Sequence, residues 1–410
     1  MANTISNVKE NGGILAKMAA QMLVDNLQFT KSIDKAPESD YAGKNGYGAG
    51  DTIYISKPAR FIPQNSFDIT STQQDIIEES TPLTLDTIST VGVNIDSLEF
   101  ASELQLKDIA ERVIKPAVQA IAQDVESQFL TKAVNATYNS VGTAGSTTFD
   151  VATILASKTL LNKNLCPKDD NRFLLLDSAA GASAVDARKG LFQSSDEIAK
   201  QYKMGYVGTA DGYKWLENEL LPTVTNGNDV VFEVRTTVST QGQSTLVVEA
   251  LTTTTGTVKK GTVFTVAGVY AVHPQTKVTQ TRLQQFVVTA DATADGSGYA
   301  TLSISPAMYT TGSRKNIASF PQDGNAITPV GSASTGYLQN LAFHKSSFRM
   351  VSVPLVMPTN AEFAAQETVD GITVAIVRDW DQLTRKMVTR LDFLGGLAAV
   401  RPEWACRITA

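Results

Sequence analysis

The chain has 410 residues, of which 42% are hydrophobic and 7% are aromatic, and its formal net charge is −6. This length predicts two or three domains, and the modest charge without an extended basic run argues against tight, direct binding of nucleic acid. No signal peptide and no apolar run of about 18 residues is present, so we expect a protein that is made and used in a cytoplasm without a membrane span.

An amphipathic helix is predicted near the N-terminus, over residues 12–28. Its apolar side chains recur at three- and four-residue spacing: Ile14, Leu15, Met18, Ala19, Met22, Leu23 and Leu27. The helix either packs on its own domain or forms an arm that packs on a neighbouring subunit. The Gly-rich stretch from Tyr41 to Asp51 matches neither GxGxxG nor a Walker motif, so we interpret it as a flexible entry into a hairpin.

A long polar β-hairpin is predicted over residues 51–96. Both limbs alternate with a period of two, and Pro58 and Pro63 favour an edge strand or a bend in the first limb. A polar, acidic tip separates the limbs. Because isolated hairpins are marginally stable in water, this one is expected to lie on another surface.

The strongest helical pattern covers residues 98–140. Pro116 predicts a break or kink, which leaves a main helix over residues 117–139, about 35 Å long. Shorter elements follow: a helix over Thr147–Asn164 capped by Thr148 or Asp150, a buried strand over Arg172–Asp177, helix or loop over Ser178–Gly190, and a loop over Ser194–Met204.

From Val224 to Leu338 the chain is rich in Thr, Val and Gly, with short alternating runs separated by turn signals. This pattern predicts a small all-β barrel or sandwich. A mixed pattern then returns, with strands predicted over Ala342–Phe348, Gly371–Asp379, Lys386–Phe393 and Leu397–Arg401. The simplest organisation is therefore an α+β domain interrupted by a β domain.

Catalytic and metal-binding motifs are missing from the sequence. The two histidines, His273 and His344, have no second histidine or cysteine at ligand spacing, and no G-x-S-x-G motif occurs. The two cysteines, Cys166 and Cys406, are expected to be reduced, partly buried thiols. Carboxylate pairs occur without other signs of a cleft: Glu78 with Glu79, Asp169 with Asp170, and Asp379 with Asp381. We expect neither an enzyme nor a cofactor.

Five stretches, taken in order, resemble the coat proteins of tailed phages, specifically those of the phage P22 type. They read GDTIYISKPARF, LQLKDIAERVIKPAVQAIAQDVESQFL, DDNRFLLLDSAAGASAVDARKGLF, VKKGTVFTVAGVYAVHPQTK followed by LQQFVVT, and NLAFHKSSFRMVSVPL with DFLGGLAAVRPEWACRI. The resemblance implies an α+β, HK97-like (Hong Kong 97-like) capsid fold that is interrupted by an all-β insertion domain.

The resemblance also implies a division of the chain. The regions are an N-arm (1–43), an extended loop (44–96), a peripheral domain with a spine helix (97–144), an axial domain (145–223 and 339–370), a β-barrel insertion domain (224–338), and a peripheral and C-terminal segment (371–410). Contacts between subunits are expected from the N-arm and the extended loop. The residues that we predict to make them are Ile14, Leu15, Met18, Met22, Ile53, Ile55, Lys57, Arg60, Phe67, Glu78 and Glu79.

The implied function is that of a structural capsid subunit. Copies would form pentamers and hexamers in a closed icosahedral shell, with a scaffolding protein, a portal protein and packaged double-stranded DNA as partners. The DNA would be enclosed without sequence-specific binding, and the shell would be assembled in the bacterial host cytoplasm. Three alternatives remain open: an encapsulin-like cellular compartment shell, a β-rich adhesin or fibre protein, and a hydrolase with an unmarked carboxylate pair.

Overall fold

The computed structural model describes residues 17–23, 27–35, 50–62, 78–96, 115–146, 149–188, 208–358, 361–382 and 386–409, together with residues 67, 70, 73 and 76. The chain divides into two compact units. The first unit comprises Met1–Ile55, Thr81–Leu130 and Phe348–Ala398, and the second comprises Ser56–Ser80, Thr131–Ser347 and Ala399–Ala410. Both units contain helices and long runs of consecutive strands, which confirms the predicted α+β class.

The first unit is built on a six-stranded sheet. The elements of this unit are α1 (Phe29–Ser32), β1 (Asp34–Lys35), β2 (Thr52–Lys57), β3 (Glu79–Thr84), β4 (Thr87–Asp96), α2 (Lys115–Ala136), β19 (Phe348–Ser352), β20 (Phe363–Val369), β21 (Ile372–Asp381) and β22 (Lys386–Ala399). Of these, β2, β3 and α2 continue into the second unit. The strand order of the sheet is β1-β19-β22-β21-β20, and β4 pairs with the edge of β22 opposite β21. A helical segment also covers residues 17–23.

The predicted hairpin is divided between two sheets. Strand β2 pairs with β3 in a two-stranded ribbon, and Gly50 and Leu85 close its base with a backbone hydrogen bond of 2.8 Å. Strand β4, which was predicted to belong to the same returning limb, pairs with β22 from Thr87 opposite Gly395 to Asp96 opposite Lys386. The prediction was wrong here because alternation identifies a strand but not its partner.

Strands β20 and β21 form a hairpin whose turn contains Asp370 and Gly371, both with positive φ. The family resemblance places the boundary between the axial domain and the peripheral segment after residue 370, which lies inside this turn. Strands β19 and β20, before that boundary, belong to the same sheet as β21 and β22, which follow it.

Helix α2 is described from Lys115 onward. The residues before it (97–114) lie outside the described residues, so the break or kink expected at Pro116 stays a prediction. In the first unit the helix buries one apolar face, and Phe129 meets Phe393 edge-on at 6.2 Å between ring centroids. The helix ends at Ala136, three residues before the predicted end.

The second unit contains a seven-stranded sheet with the order β5-β23-β18-β6-β8-β7, in which β9 also pairs with β18. Its strands and helices are β5 (Ser140–Val141), α3 (Val151–Lys163), β6 (Arg172–Leu176), α4 (Ser178–Arg188), β7 (Thr209–Ala210), β8 (Tyr213–Glu217), β9 (Thr223–Thr225), β18 (Gly336–His344) and β23 (Ala405–Thr409). Asp150 occupies the N-cap of α3, although its side chain makes no capping hydrogen bond. The last strand is β23 rather than the predicted Leu397–Arg401, since residues 397–399 continue β22.

The predicted β domain is a closed six-stranded barrel, with the order β10-β11-β16-β14-β13-β17. Its strands are β10 (Phe232–Val234), β11 (Gln243–Glu249), β13 (Val263–Val272), β14 (Thr279–Val288), β16 (Ala300–Met308) and β17 (Ala326–Pro329), and β12 (Thr257–Val258) pairs with β15 (Ala292–Thr293) beside it. Alternate side chains such as Leu246 and Val248 point inward, as the period of a strand requires. Phe264 and Phe286 stack in the interior with their centroids 5.8 Å apart.

Candidate interaction surfaces

The loop between β2 and β3 is anchored at both ends by ion pairs within the second unit. Near its start, Arg60 Nη2 lies 3.0 Å from Glu403 Oε1. Near its end, Glu79 Oε1 lies 2.8 Å from Arg314 Nε. Exposed pairs of this kind contribute about 0–1 kcal/mol each, so they bias the position of the loop without holding it rigidly.

Lys57 ends strand β2 close to the same charges. Burial lowers the pKa of its ammonium group, and the carboxylates of Glu403 and Glu79 oppose that shift. Three of the predicted contact residues, Lys57, Arg60 and Glu79, therefore interact electrostatically inside their own chain. Glu78 is exposed.

Large apolar side chains on the loop and the strand that leads into it face solvent. Phe67 is fully exposed, and the exposed fractions of Tyr54, Phe61 and Ile76 are 68%, 55% and 72%. The predicted contact residues include Phe67 but not the other three, although apolar residues in an otherwise polar loop were the available signal. Large apolar side chains that are exposed in an otherwise polar loop are candidates for contact with a partner.

The other predicted contact residues are placed differently. Ile53 and Ile55 are only 6% and 2% exposed, so they pack inside the subunit itself. In the N-terminal helical segment, Met18 is 38% exposed and Met22 is half-buried. Two further residues of the prediction lie outside the described chain, namely Ile14 and Leu15.

The N-terminal segment is held by a buried carboxylate on α2. Glu126 Oε1 accepts hydrogen bonds from the backbone N–H groups of Gln28 at 3.0 Å and Phe29 at 2.5 Å. Its Oε2 accepts from the N–H of Thr30 at 3.4 Å and from the Thr30 hydroxyl at 2.9 Å. Burial raises the pKa of Glu126, and these hydrogen bonds oppose the shift.

Sequence reasoning missed Glu126. The signal was its position, because it lies four residues from both Ala122 and Leu130 on the apolar face of a strongly predicted helix. A carboxylate on such a face must find donors in the interior.

The first unit also has an open apolar groove of about 420 Å³ beside β4 and β22. Two of its lining side chains, Ile88 and Val356, are 49% and 71% exposed. Arg390 and Asp392 also line it and form an ion pair of 2.6 Å. The side chains that line the groove are not arranged for catalysis. Its apolar lining is suited to contact with another protein surface.

Among the residues that the structure describes, the histidine and carboxylate side chains form no recognisable reaction centre. His344 is buried, its Nε2 lies 3.0 Å from Asp169 Oδ1, and its Nδ1 accepts a hydrogen bond from the Ser346 N–H. Its ring packs edge-on against Trp404 at 5.5 Å, which is the setting of a structural histidine. Within the described ranges no group of three His, Cys, Asp or Glu side chains could hold a metal ion.

Both cysteines, Cys166 and Cys406, are buried and form no disulfide. Burial raises the pKa of the Cys166 thiol to about 11, and burial also raises the pKa of Cys406. Neither thiol is therefore an activated nucleophile. In the part of the chain that the structure describes, no helix has the length and apolar content to cross a bilayer.

Comparison with known protein families identifies one that matches nearly the whole chain. The family model described as "P22 coat protein - gene protein 5" matches residues 15–407. No curated protein sequence matches the chain significantly.

Several solved phage structures are similar over most of their length. A chain from Mycobacterium phage Che8 is 12% identical, with 93% of this chain and 90% of that chain covered and a TM-score of 0.47. A chain from the capsid of Ralstonia phage GP4 is 6% identical, with 92% and 87% covered and a TM-score of 0.45. A chain from the capsid of cyanophage P-SCSP1u is 14% identical, with 92% and 89% covered and a TM-score of 0.41.

Proposed function

Because the chain belongs to the P22 coat protein family, we propose that copies of it close into an icosahedral shell of pentamers and hexamers around double-stranded DNA. The protein is a structural subunit of a phage capsid. The observation that carries the proposal is the family match, which spans nearly the whole chain, from residue 15 to residue 407.

The loop between β2 and β3 is the contact that we assign to neighbouring copies. It exposes Phe67 and Ile76 to solvent, and ion pairs at Arg60 and Glu79 lie near its two ends. Weak contacts of this kind, repeated over a closed shell, add up to a stable container.

The charge of the chain supports enclosure of DNA rather than its recognition. A net charge of −6 with no extended basic run provides little attraction for phosphates. We therefore propose that the DNA is confined by the wall, and that a scaffolding protein directs curvature and a portal protein provides the entrance. Assembly would take place in the bacterial host cytoplasm, and the protein would end in the virion.

Electron microscopy of the protein, expressed alone and together with the neighbouring reading frames of its genome, tests this function. We expect closed shells or tubular polyheads of uniform wall thickness. Monodisperse monomers under both conditions would contradict self-assembly. Shells that contain an enzyme instead of DNA, encoded beside no portal gene, would favour an encapsulin-like compartment instead.

Point variants test the loop separately from the fold. Phe67→Asp and Ile76→Asp should leave the free energy of unfolding of the subunit within about 0.5 kcal/mol, because both side chains are already in water. The same variants should reduce the yield of shells. These variants are preferable to deletion of residues 64–82, which would remove part of β3 as well.

Val231→Asp is the matched control, since Val231 is 81% exposed and lies just before the first strand of the barrel. Loss of shells in the two loop variants but not in the control would support the assignment. Normal shells from both Phe67→Asp and Ile76→Asp would refute the loop as a contact surface, whatever the control does.

A further inference from the structure

The second unit has an open cleft of about 550 Å³ at one end of its seven-stranded sheet. This volume lies in the range of sites that bind small molecules, about 300–1,000 Å³. The cleft is formed by α3, by the loop that precedes β6, and by the hairpin of β7 and β8. Its lining residues are almost all charged or polar: Lys158, Asn162, Lys168, Asp169, Asp170, Arg172, Thr209, Gly212, Tyr213 and Lys214.

Basic residues outnumber acidic residues in this cleft, although the chain as a whole is acidic. Four basic residues line it beside two acidic ones, whereas the net charge of the chain is −6. The three lysines come from α3, from the loop before β6 and from β8, so no basic run in the sequence reveals them. The fold therefore brings together positive charge that the composition does not indicate.

Two of the lysines have ammonium groups that are available to a ligand. A Cβ added to Gly212 would lie 3.5 Å from Lys158 Nζ, so this group reaches from α3 to the turn between β7 and β8. Lys168 is exposed in the loop before β6. Neither lysine has an ion-pair partner among the described residues. Lys214 is placed differently, because its Nζ lies 5.7 Å from the centre of the Phe173 ring, and we assign it no contact.

Arg172 adds a buried positive charge to the lining of the cleft. Its side chain is only 3% exposed, and all three of its nitrogens donate to uncharged acceptors. These are Pro167 O at 2.7 Å, Asn162 Oδ1 at 2.9 Å and Cys166 O at 2.7 Å. Because no carboxylate in the described part of the chain pairs with it, its charge raises the electrostatic potential nearby.

The two acidic residues oppose this potential only in part. Asp169 Oδ1 lies 3.0 Å from His344 Nε2, and Asp169 Oδ2 accepts a hydrogen bond from Asn171 Nδ2 at 2.9 Å. Both of its oxygens are therefore engaged by groups of the same subunit. Asp170 is exposed, so solvent ions screen its charge.

We propose that this cleft binds a chain of at least two phosphate groups on Lys158 and Lys168. An ammonium group binds phosphate as a point charge from a flexible side chain, and a metal cation is disfavoured by the positive potential. Two sources share this chemistry: the backbone of the enclosed DNA and a soluble polyphosphate. The DNA source rests on the function proposed above, whereas the cleft does not. Contacts to backbone phosphates carry no sequence information, which agrees with enclosure of DNA without its recognition.

Binding of a short fluorescent DNA duplex to the full-length subunit tests the site, with anisotropy measured at several salt concentrations. The subunit is kept too dilute to assemble. Each phosphate contact contributes about −0.9 to the slope of log K against log salt concentration. Lys158→Gln and Lys168→Gln should each make the slope less steep by about 0.9, and by the same amount for duplexes of different sequence.

Lys163→Gln is the matched control. Lys163 is an exposed lysine at the end of the same helix as Lys158, and it does not line the cleft. Its substitution removes the same charge and should leave the slope unchanged. Because these side chains are exposed or half-buried, the three variants should unfold in urea within about 0.5 kcal/mol of the natural protein.

Tripolyphosphate is the second probe and distinguishes the two sources. Duplex binding that weakens in both cleft variants would assign the site to the DNA backbone. Tripolyphosphate binding that weakens in both variants, without duplex binding, would assign it to a soluble polyphosphate.

Two results would overturn the proposal. One is an equal effect of Lys163→Gln and the cleft variants, since the effect would then be that of net charge alone. The other is no binding of either probe at about 50 mM salt, where phosphate contacts are strong. Neither result affects the shell-forming function, which electron microscopy tests separately.

Discussion

Removal of the Glu126 carboxylate should release the N-terminal segment from α2. In Glu126→Ala, the backbone N–H groups of Phe29 and Thr30 lose their acceptor, and both of these residues are completely buried. A buried donor left without a partner costs about 1–3 kcal/mol, so the free energy of unfolding should fall by about 2–6 kcal/mol. Glu126→Gln keeps one acceptor oxygen in the same shape and should lose roughly half as much.

The pH dependence of stability provides a second test of the same contact. Burial raises the pKa of Glu126 above its ordinary value of 4.5, so the unfolded chain releases this proton at a lower pH than the folded chain. The stability that this group contributes is therefore present in acid and falls as the pH rises from 4.5 through the raised value. Glu126→Gln should remove this part of the pH dependence.

Amide hydrogen exchange resolved at residues 28–30, combined with urea unfolding, measures both effects. Gln128→Ala is the control on the same helix, because Gln128 is only partly buried and its better hydrogen bond, to Asp124 at 2.9 Å, is exposed. The amides of Phe29 and Thr30 should exchange much faster in Glu126→Ala, and their exchange rates should be unchanged in the control. Full protection of these amides in Glu126→Ala, or a loss of less than about 0.5 kcal/mol, would refute the reasoning.

Two further predictions concern packing in the second unit. Phe286→Ala removes a fully buried ring that stacks on Phe264, so urea unfolding should show a loss of about 3–5 kcal/mol; a loss below about 1 kcal/mol would contradict a filled barrel. Gly142 has a φ of +96°, and an added Cβ would lie 2.1 Å from the carbonyl oxygen of Thr409. Gly142→Ala should therefore lower the thermal midpoint clearly, whereas Gly296→Ala, where a Cβ meets nothing within 4 Å, should not. Equal midpoints for the two variants would refute the clash.

Some of the candidate contact surface could be predicted from the sequence and some could not. Phe67, Ile53 and Ile55 were all predicted as contacts because they belong to a hairpin that was expected to lie on another surface. Phe67 is exposed, whereas Ile53 and Ile55 pack inside the subunit. Period-two alternation shows that two faces of a strand differ, but it does not show which protein chain covers the apolar face.

Arg407, which is only 2% exposed, illustrates the opposite failure. In the sequence it follows Cys406 near the C-terminus, and its neighbours do not distinguish it from a surface arginine. Its burial arises because β23 pairs with β18 on one side and with β5 on the other, and the barrel then covers its side chain. Each of these neighbours is distant in sequence, so no local pattern could reveal the buried charge.

The sequence by itself determined the local elements of this protein: the long helix α2, the β-rich region that closes into a barrel, and the order of motifs that resembles the family. These follow from side-chain periodicity and turn chemistry, which act over a few residues. Only the tertiary structure decided the partner of β4, the burial of Ile53 and Ile55, and the positions of Glu126 and Arg407. Such features depend on contacts between segments far apart in the chain, where packing and desolvation outweigh local preference.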